Sequence, residues 1–190
     1  MNEVSLGPAL QVIQVLDELD VPYQVGGSFA SSIHGTPRHT RDIDLVIDLP
    51  ARSIPSFVLR LSRDFYVDEE SVRSAVRRRS SFNLIHLETA FKVDCFQKGD
   101  GSFDTSEMDR SVPVVLAAEN RTVQAKSPED TVLRKLLWYR DGGQVSSTQW
   151  QDVLGLVRAQ GERLDREYLL RWARELGLQE LLEKALLRSV

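Results

Sequence analysis

The sequence predicts an α+β fold: a mixed α/β sheet in the first part of the chain and a helical region at its C-terminal end. Three observations carry this expectation. Segments such as "RDIDLVID", "FNLIHL" and "FKVDCF" alternate with the two-residue period of half-buried strands. Before and between the strands lie segments with apolar residues at helical spacing. Beyond about residue 125 the apolar patterns are all helical. We therefore expect a sheet-bearing core over residues 1–125 and a helical region over residues 126–190 packed on it.

The elements follow in order. Leu6, Leu10, Ile13, Leu16 and Leu19 recur at helical spacing, and Pro8 suits a first turn, so a helix is predicted from Pro8 to Leu19. "VPYQV" breaks it and starts a short strand ending at Gly26-Gly27, and "FASSIH" predicts a short helix closed by Gly35 and Pro37. In "RDIDLVID", Asp42, Asp44, Val46 and Asp48 share one face while Ile43, Leu45 and Ile47 share the other. Helices are predicted around Ile54 to Leu61 and Glu69 to Arg78. "FNLIHL" and "FKVDCF" are then separated only by Glu88, Thr89 and Ala90, which is hairpin spacing.

After Gly99 a polar loop is expected, leading to short strands in "SVPVVLA" and "RTVQA". Ser127 as N-cap, Pro128 and the acids after it start a helix that Gly142-Gly143 ends. "TQWQ" from Thr148 has the form of a capping box, and "LDREYLLRWARELGLQELLEKALL" is predicted helical to its end.

The bulk properties narrow the function classes. A chain of 190 residues with 42% hydrophobic and 27% charged residues has the composition of an ordinary globular domain. It holds no long uncharged apolar run, so no transmembrane helix is expected, and "MNEVSLGPALQVIQ" lacks the basic and apolar regions of a signal peptide. A single cysteine, Cys95, fits a reducing cytoplasm and makes neither an internal disulfide nor, alone, a zinc site. The net charge of −4 gives no global attraction to nucleic acid. Arg73, Arg77, Arg78 and Arg79 form a local exception: a solvated helix face, or a patch for a polyanionic substrate if it faces an active site.

The chemistry centres on carboxylates. Asp42 and Asp44 lie on one face of one strand, roughly 6–7 Å apart. Two like charges that close repel unless a cation neutralises them. A hard divalent cation such as magnesium takes oxygen ligands and keeps positions open for substrate phosphates. A carboxylate pair can hold one ion and help bridge a second for in-line displacement at phosphorus. Asp94 in "FKVDCF", on the face opposite Phe91, Val93 and Cys95, is the candidate third carboxylate, for the second metal and for the proton of an attacking hydroxyl. Gly26, Gly27 and Ser28, between a strand and a helix, offer a close backbone approach and helix-start N–H groups to the β/γ-phosphates. A tight strand-to-helix turn is the plainer alternative for these three residues, and an ion-paired strand acid is the plainer one for Asp94.

Together these residues resemble the nucleotidyltransferase superfamily related to DNA polymerase β. Its signature, a hydrophobic residue with Gly and Gly or Ser, then Asp-x-Asp in a strand, then an acid between hydrophobics in a later strand, is matched by Val25-Gly26-Gly27-Ser28, Asp42-Ile43-Asp44 and Val93-Asp94-Cys95. A narrower likeness, carried by "HGTPRHTRDIDL", Lys135 in "LRKLLWYR" and Asp152 in "QWQDV", is to the AbiEii-type toxin nucleotidyltransferases and their bacterial relatives. The resemblance implies a minimal nucleotidyltransferase fold with a C-terminal helical region. It also implies an enzyme that moves a nucleoside monophosphate from an NTP to a hydroxyl with two Mg²⁺ ions, or Mn²⁺ in their place. Lys135 would contact the triphosphate and Asp152 assist, although Lys135 read from its own helix is equally a surface lysine. The acceptor would be RNA or tRNA, a protein or a small molecule, and a toxin role would bring a cognate antitoxin as partner.

Two rivals stand beside this reading. A non-catalytic module of the same fold would bind NTP or a partner without transfer. A serine hydrolase would use "GGSFA" as its nucleophile elbow, with Ser28 as nucleophile and His86 as base, although Ala30 stands where such an elbow carries glycine.

Overall fold

The computed structural model describes residues 6–36, 42–116 and 120–188. The chain divides into two compact units: one of residues 1–26 and 39–125, the other of residues 27–38 and 126–190. The short segment 27–38 thus groups with the C-terminal helices.

The first unit is a seven-stranded mixed sheet with helices. Its strands are β1 (Tyr23–Val25), β2 (Asp42–Ile47), β3 (Phe65–Tyr66), β4 (Ser81–His86), β5 (Lys92–Gln97), β6 (Val112–Leu116) and β7 (Arg121–Ala125). Their order is β3-β4-β5-β2-β1-β7-β6. β2 runs parallel to β5 and β1 parallel to β7, while β4–β5, β1–β2, β3–β4 and β6–β7 are antiparallel. The alternation in β2 and β5 is realised as expected: Ile43, Leu45, Ile47, Val93 and Cys95 are buried, and Asp42, Asp44, Lys92 and Asp94 lie on the other, partly open face. Pro113 sits in β6, an edge strand, where the missing N–H leaves no ladder bond unmade.

The helices of this unit are α1 (Gly7–Glu18), α3 (Ile54–Leu61), α4 (Glu69–Arg78) and α5 (Ser102–Asp109). Val12, Ile13 and Leu16 of α1, Phe57 and Leu61 of α3 and Val72 of α4 are buried almost completely. Truncating any one of the Leu or Phe side chains to Ala would cost about 2–5 kcal/mol. Helix α5 was expected to be a polar loop. "SFDTSEMD" lacks an apolar stripe, and the helix rests instead on Phe103 and Glu107 as its buried residues and on the Asp104 carboxylate, which accepts from the Gly101 N–H at 3.1 Å.

The second unit contains α2 (Gly27–His34), α6 (Pro128–Asp141), α7 (Ser147–Gln160), α8 (Arg166–Glu175) and α9 (Gln179–Leu187). α6 starts as the sequence indicates: Ser127 Oγ accepts from the Asp130 N–H at 3.1 Å. The buried Asp130 carboxylate in turn accepts from Ser127 Oγ and from Tyr168 OH, each at 2.6 Å, tying α8 to the start of α6. α7 begins earlier than Thr148 suggests, because Ser146 Oγ accepts from Gln149 N–H and takes the cap. The terminal helical stretch is two helices, broken at Gly177, whose φ of +67° a residue with a side chain adopts only under strain.

Segment 27–36 shows what its "HG" does. A Cβ on Gly35 would come within 3.1 Å of the Leu156 backbone nitrogen, so only glycine lets α7 approach this closely. His34 Nε2 hydrogen-bonds the Lys126 carbonyl at 2.8 Å, and Gln160 donates to the His34 carbonyl. The remainder of "HGTPRHTRDIDL", residues 37–41, lies outside the described residues.

Candidate active site

The parallel register of β2 and β5 pairs Asp44 with Asp94 and Asp42 with Lys92. Paired residues share a face, so the three acids singled out in the sequence stand on one face of two adjacent strands, about 4.8 Å apart across the ladder. Hydrophobic alternation fixes this: a one-residue slip of either strand would turn its acids into the core. The strand interior below them, Ile43, Leu45, Val93 and Cys95, is fully packed. Burial pushes the Cys95 thiol far up, so it stays a thiol and acts as a core residue.

Lys92 is the residue on this face whose part the sequence did not reveal. Its ammonium lies 2.7 Å from Asp94 Oδ2, with the lysine side chain 42% exposed and the aspartate 15%. The Asp94 hydrogen bond raises the Lys92 pKa above the ordinary lysine range, partial burial opposes this, and the charges of Asp94, Asp42 and Asp44 add to it. One ammonium therefore senses all three carboxylates. Position i−2 on an alternating strand is the signal that would have placed Lys92 beside Asp94. Among the described residues no three His, Cys, Asp or Glu side chains gather closely enough to form a ready metal group. The donor chemistry, carboxylate oxygen throughout, still suits a hard divalent ion. Asp94, however, is here engaged with Lys92.

Of the glycine turn, Gly26 ends β1, and its N–H donates to the Asp44 carbonyl at 2.9 Å. That bond ties the turn to the acidic strand but uses the amide. Gly27, at φ +55°, and Ser28 open α2, where helix geometry leaves first-turn N–H groups without intrahelical acceptors.

In the second unit Lys135 is not a surface lysine. It is 2% exposed; its ammonium donates to Asp152 Oδ2 at 2.7 Å and to Gln149 Oε1 at 3.0 Å. The two residues singled out by the AbiEii-like resemblance are thus a buried ion pair linking α6 to α7.

Two further sequence features find a place. Arg73 pairs with Glu69, Arg77 with Glu70, and Arg79 with Asp100 and, at 3.7 Å, with Asp48. Asp48 lies roughly 13 Å along its strand from Asp44. Arg73, Arg77 and Arg79 are thus ion-paired, and Arg79 lies toward the other end of the strand. His86 is 8% exposed, and its Nδ1 bonds Thr89 Oγ1 at 2.9 Å within the β4–β5 turn. It holds that turn.

No family model and no curated protein matches the chain. Solved structures do. The solution structure of the antibiotic-resistance factor ANT(2'')-Ia matches over 97% of this chain and 99% of its own, with TM-score 0.56 and 13% identity. The crystal structure of ANT(2'')-Ia with adenylyl-2''-tobramycin matches over 90% and 98%, with TM-score 0.58 and 15% identity. An antigenic nucleotidyltransferase-like protein from Paracoccidioides brasiliensis matches over 94% and 91%, with TM-score 0.52 and 18% identity. The mixed seven-stranded sheet with its helices is a nucleotidyltransferase fold.

Proposed function

We infer that this protein is a metal-dependent nucleotidyltransferase that moves a nucleoside monophosphate from an NTP to a hydroxyl. The observation that carries the reading is the β2–β5 register, which sets Asp44 beside Asp94 with Asp42 on the same face. In this reading Asp42 and Asp44 would hold two Mg²⁺ ions, or Mn²⁺, and Asp94 would hold the second ion and accept the proton of the attacking hydroxyl. Ions held there would supply charge neutralisation to the triphosphate; the acceptor oxygen bonds to the α-phosphorus and pyrophosphate leaves. Lys92 would have to release Asp94 for it to serve as a ligand. Gly27 and Ser28 cradle the β/γ-phosphates with Gly26 shaping the turn, and the buried Lys135–Asp152 pair serves the nucleotide indirectly, by holding α6 to α7 in the unit that carries Gly27 and Ser28.

A small-molecule acceptor is favoured over RNA because three of the four clustered arginines, Arg73, Arg77 and Arg79, are engaged in ion pairs. The structurally similar ANT(2'')-Ia, whose complex holds an adenylylated tobramycin, supports that choice. The AbiEii-type likeness supports a second reading in which the acceptor is tRNA or protein and the chain is a toxin held by an antitoxin. Growth arrest on expression, relieved by Asp44→Ala, would favour it.

The test is thermal stabilisation by each of ATP, GTP, CTP and UTP with and without magnesium. At least one should raise the Tm in a magnesium-dependent way that Asp44→Ala abolishes. No shift with any NTP would overturn the reading.

A further inference from the structure

A cleft of about 420 Å³ lies at the free edge of β4, lined on the acidic face by Ser81, Asn83 and Ile85, on the buried face by Phe82, and by Tyr66, Asp68 and Ser71. Its size is that of a small-ligand site. The sheet register ties it to the carboxylates: Asn83 is the cross-strand partner of Asp94, Ile85 that of Lys92, and Tyr66 that of Ile85. Asn83 therefore stands one strand, about 4.8 Å, from Asp94 on the same face. Because β3 is only Phe65–Tyr66, the outer edge of β4 at Ser81–Asn83 is not covered by a strand.

The chemistry of the walls is specific. Tyr66 is 63% exposed and Ile85 39%, giving an aromatic and an aliphatic surface side by side. The Asn83 amide and the Ser81 hydroxyl make no side-chain hydrogen bond to the described residues, so both are available to a ligand. Among the described residues that line the cleft there is no lysine or arginine, and Asp68 is its single charge. The Ser71 hydroxyl and N–H, both donating to Asp68, hold that carboxyl below the usual carboxylate range, so it remains an anion.

We propose that this cleft is the acceptor site and that it takes a small hydroxylated ring, neutral or bearing an amine, and rejects phosphorylated and nucleic-acid acceptors. The proposal rests on the transfer reading above and names the acceptor for it. The ring lies against Tyr66 and Ile85, an amine faces Asp68 and the Tyr66 ring, and Asn83 steers one hydroxyl toward Asp94. That hydroxyl gives its proton to Asp94, its oxygen forms the bond to the α-phosphorus of the NTP, and the bond to pyrophosphate breaks.

The test is amide NMR titration without NTP, using glucosamine, methyl glucoside, glucose 6-phosphate and a short oligouridylate as probes. Glucosamine should shift the amides of Tyr66, Asn83 and Ile85 most and methyl glucoside less, whereas the two anions should leave them unmoved. Tyr66→Ala should weaken glucosamine about threefold to tenfold, the loss of one cation–π contact. Asp68→Asn, which keeps a good N-cap for α4, should erase the preference for glucosamine over methyl glucoside. Shifts confined to other residues, or glucose 6-phosphate acting as strongly as glucosamine, would overturn the proposal. The two readings fail separately. Binding here with no transfer from any NTP would sink the transfer reading alone. Transfer to glucosamine unchanged by Tyr66→Ala and Asn83→Ala would sink the cleft alone.

Discussion

Two lysine–aspartate pairs of the same length behave differently in this molecule. Lys92–Asp94 and Lys135–Asp152 are both 2.7 Å, but the first lysine is 42% exposed and the second 2%. A pair whose lysine is open gives up less when broken, because water and salt reach the ammonium and partly replace it. A buried pair cannot be opened without stranding a charge. The first pair is therefore exchangeable, as suits a carboxylate that must receive a metal, and the second is fixed, as suits a clamp between α6 and α7. Distance alone would have made them equivalent; burial separates them.

The largest effect expected is on the open face. Asp44→Ala should lower transfer by at least about 10³-fold in single-turnover assays, through loss of metal-held charge stabilisation. Its Tm should be unchanged or slightly higher, because a like charge leaves the acidic face. A comparable fall in Tm would mean that Asp44 is structural. Next comes the buried pair. Lys135→Met should destabilise by about 3–5 kcal/mol in denaturant unfolding, with most of the loss recovered in Lys135→Met/Asp152→Leu. An exposed-pair response, below about 1 kcal/mol, would erase the contrast between the two sites.

A smaller effect concerns His34. Its burial lowers the pKa, against the pull of the Lys126 carbonyl and the charge of Glu129. The unfolded chain therefore takes up a proton first as pH falls, so stability is full above about 6.5 and declines below it, until the folded histidine is also protonated. His34→Asn should flatten that slope in pH-dependent thermal melts; an unchanged slope would assign the loss to other groups. The smallest stability change is expected for Lys92→Met, within about 1 kcal/mol. The same variant should bind Mn²⁺ more tightly by paramagnetic titration, since the competing ammonium is gone. Weaker binding would show Lys92 to be part of the ion site.

Much of this was legible in the sequence, for physical reasons that can be named. The strands around Asp42, Asp44 and Asp94 alternate strictly, so their facing followed from the period alone, and the family-like spacing pointed to the fold. The register that makes Asp44 and Asp94 neighbours could not be read, because parallel pairing is set by packing across fifty residues of intervening chain. Lys135 looked like a surface residue because its partner Asp152 lies on a different helix. α5 was missed because "SFDTSEMD" buries two residues and shows no stripe. The start of α7 was misplaced because Ser146, Ser147 and Thr148 are all competent caps, and only geometry selected Ser146.

The central claim is that Asp42, Asp44 and Asp94 form the metal and transfer site. Its most direct measurement is label transfer from each α-³²P-labelled NTP to hydroxylated acceptors, with magnesium, by the wild type and by Asp42→Ala/Asp44→Ala. The account predicts magnesium-dependent labelling of an acceptor by the wild type and none by the double variant. Equal labelling by both proteins would contradict it.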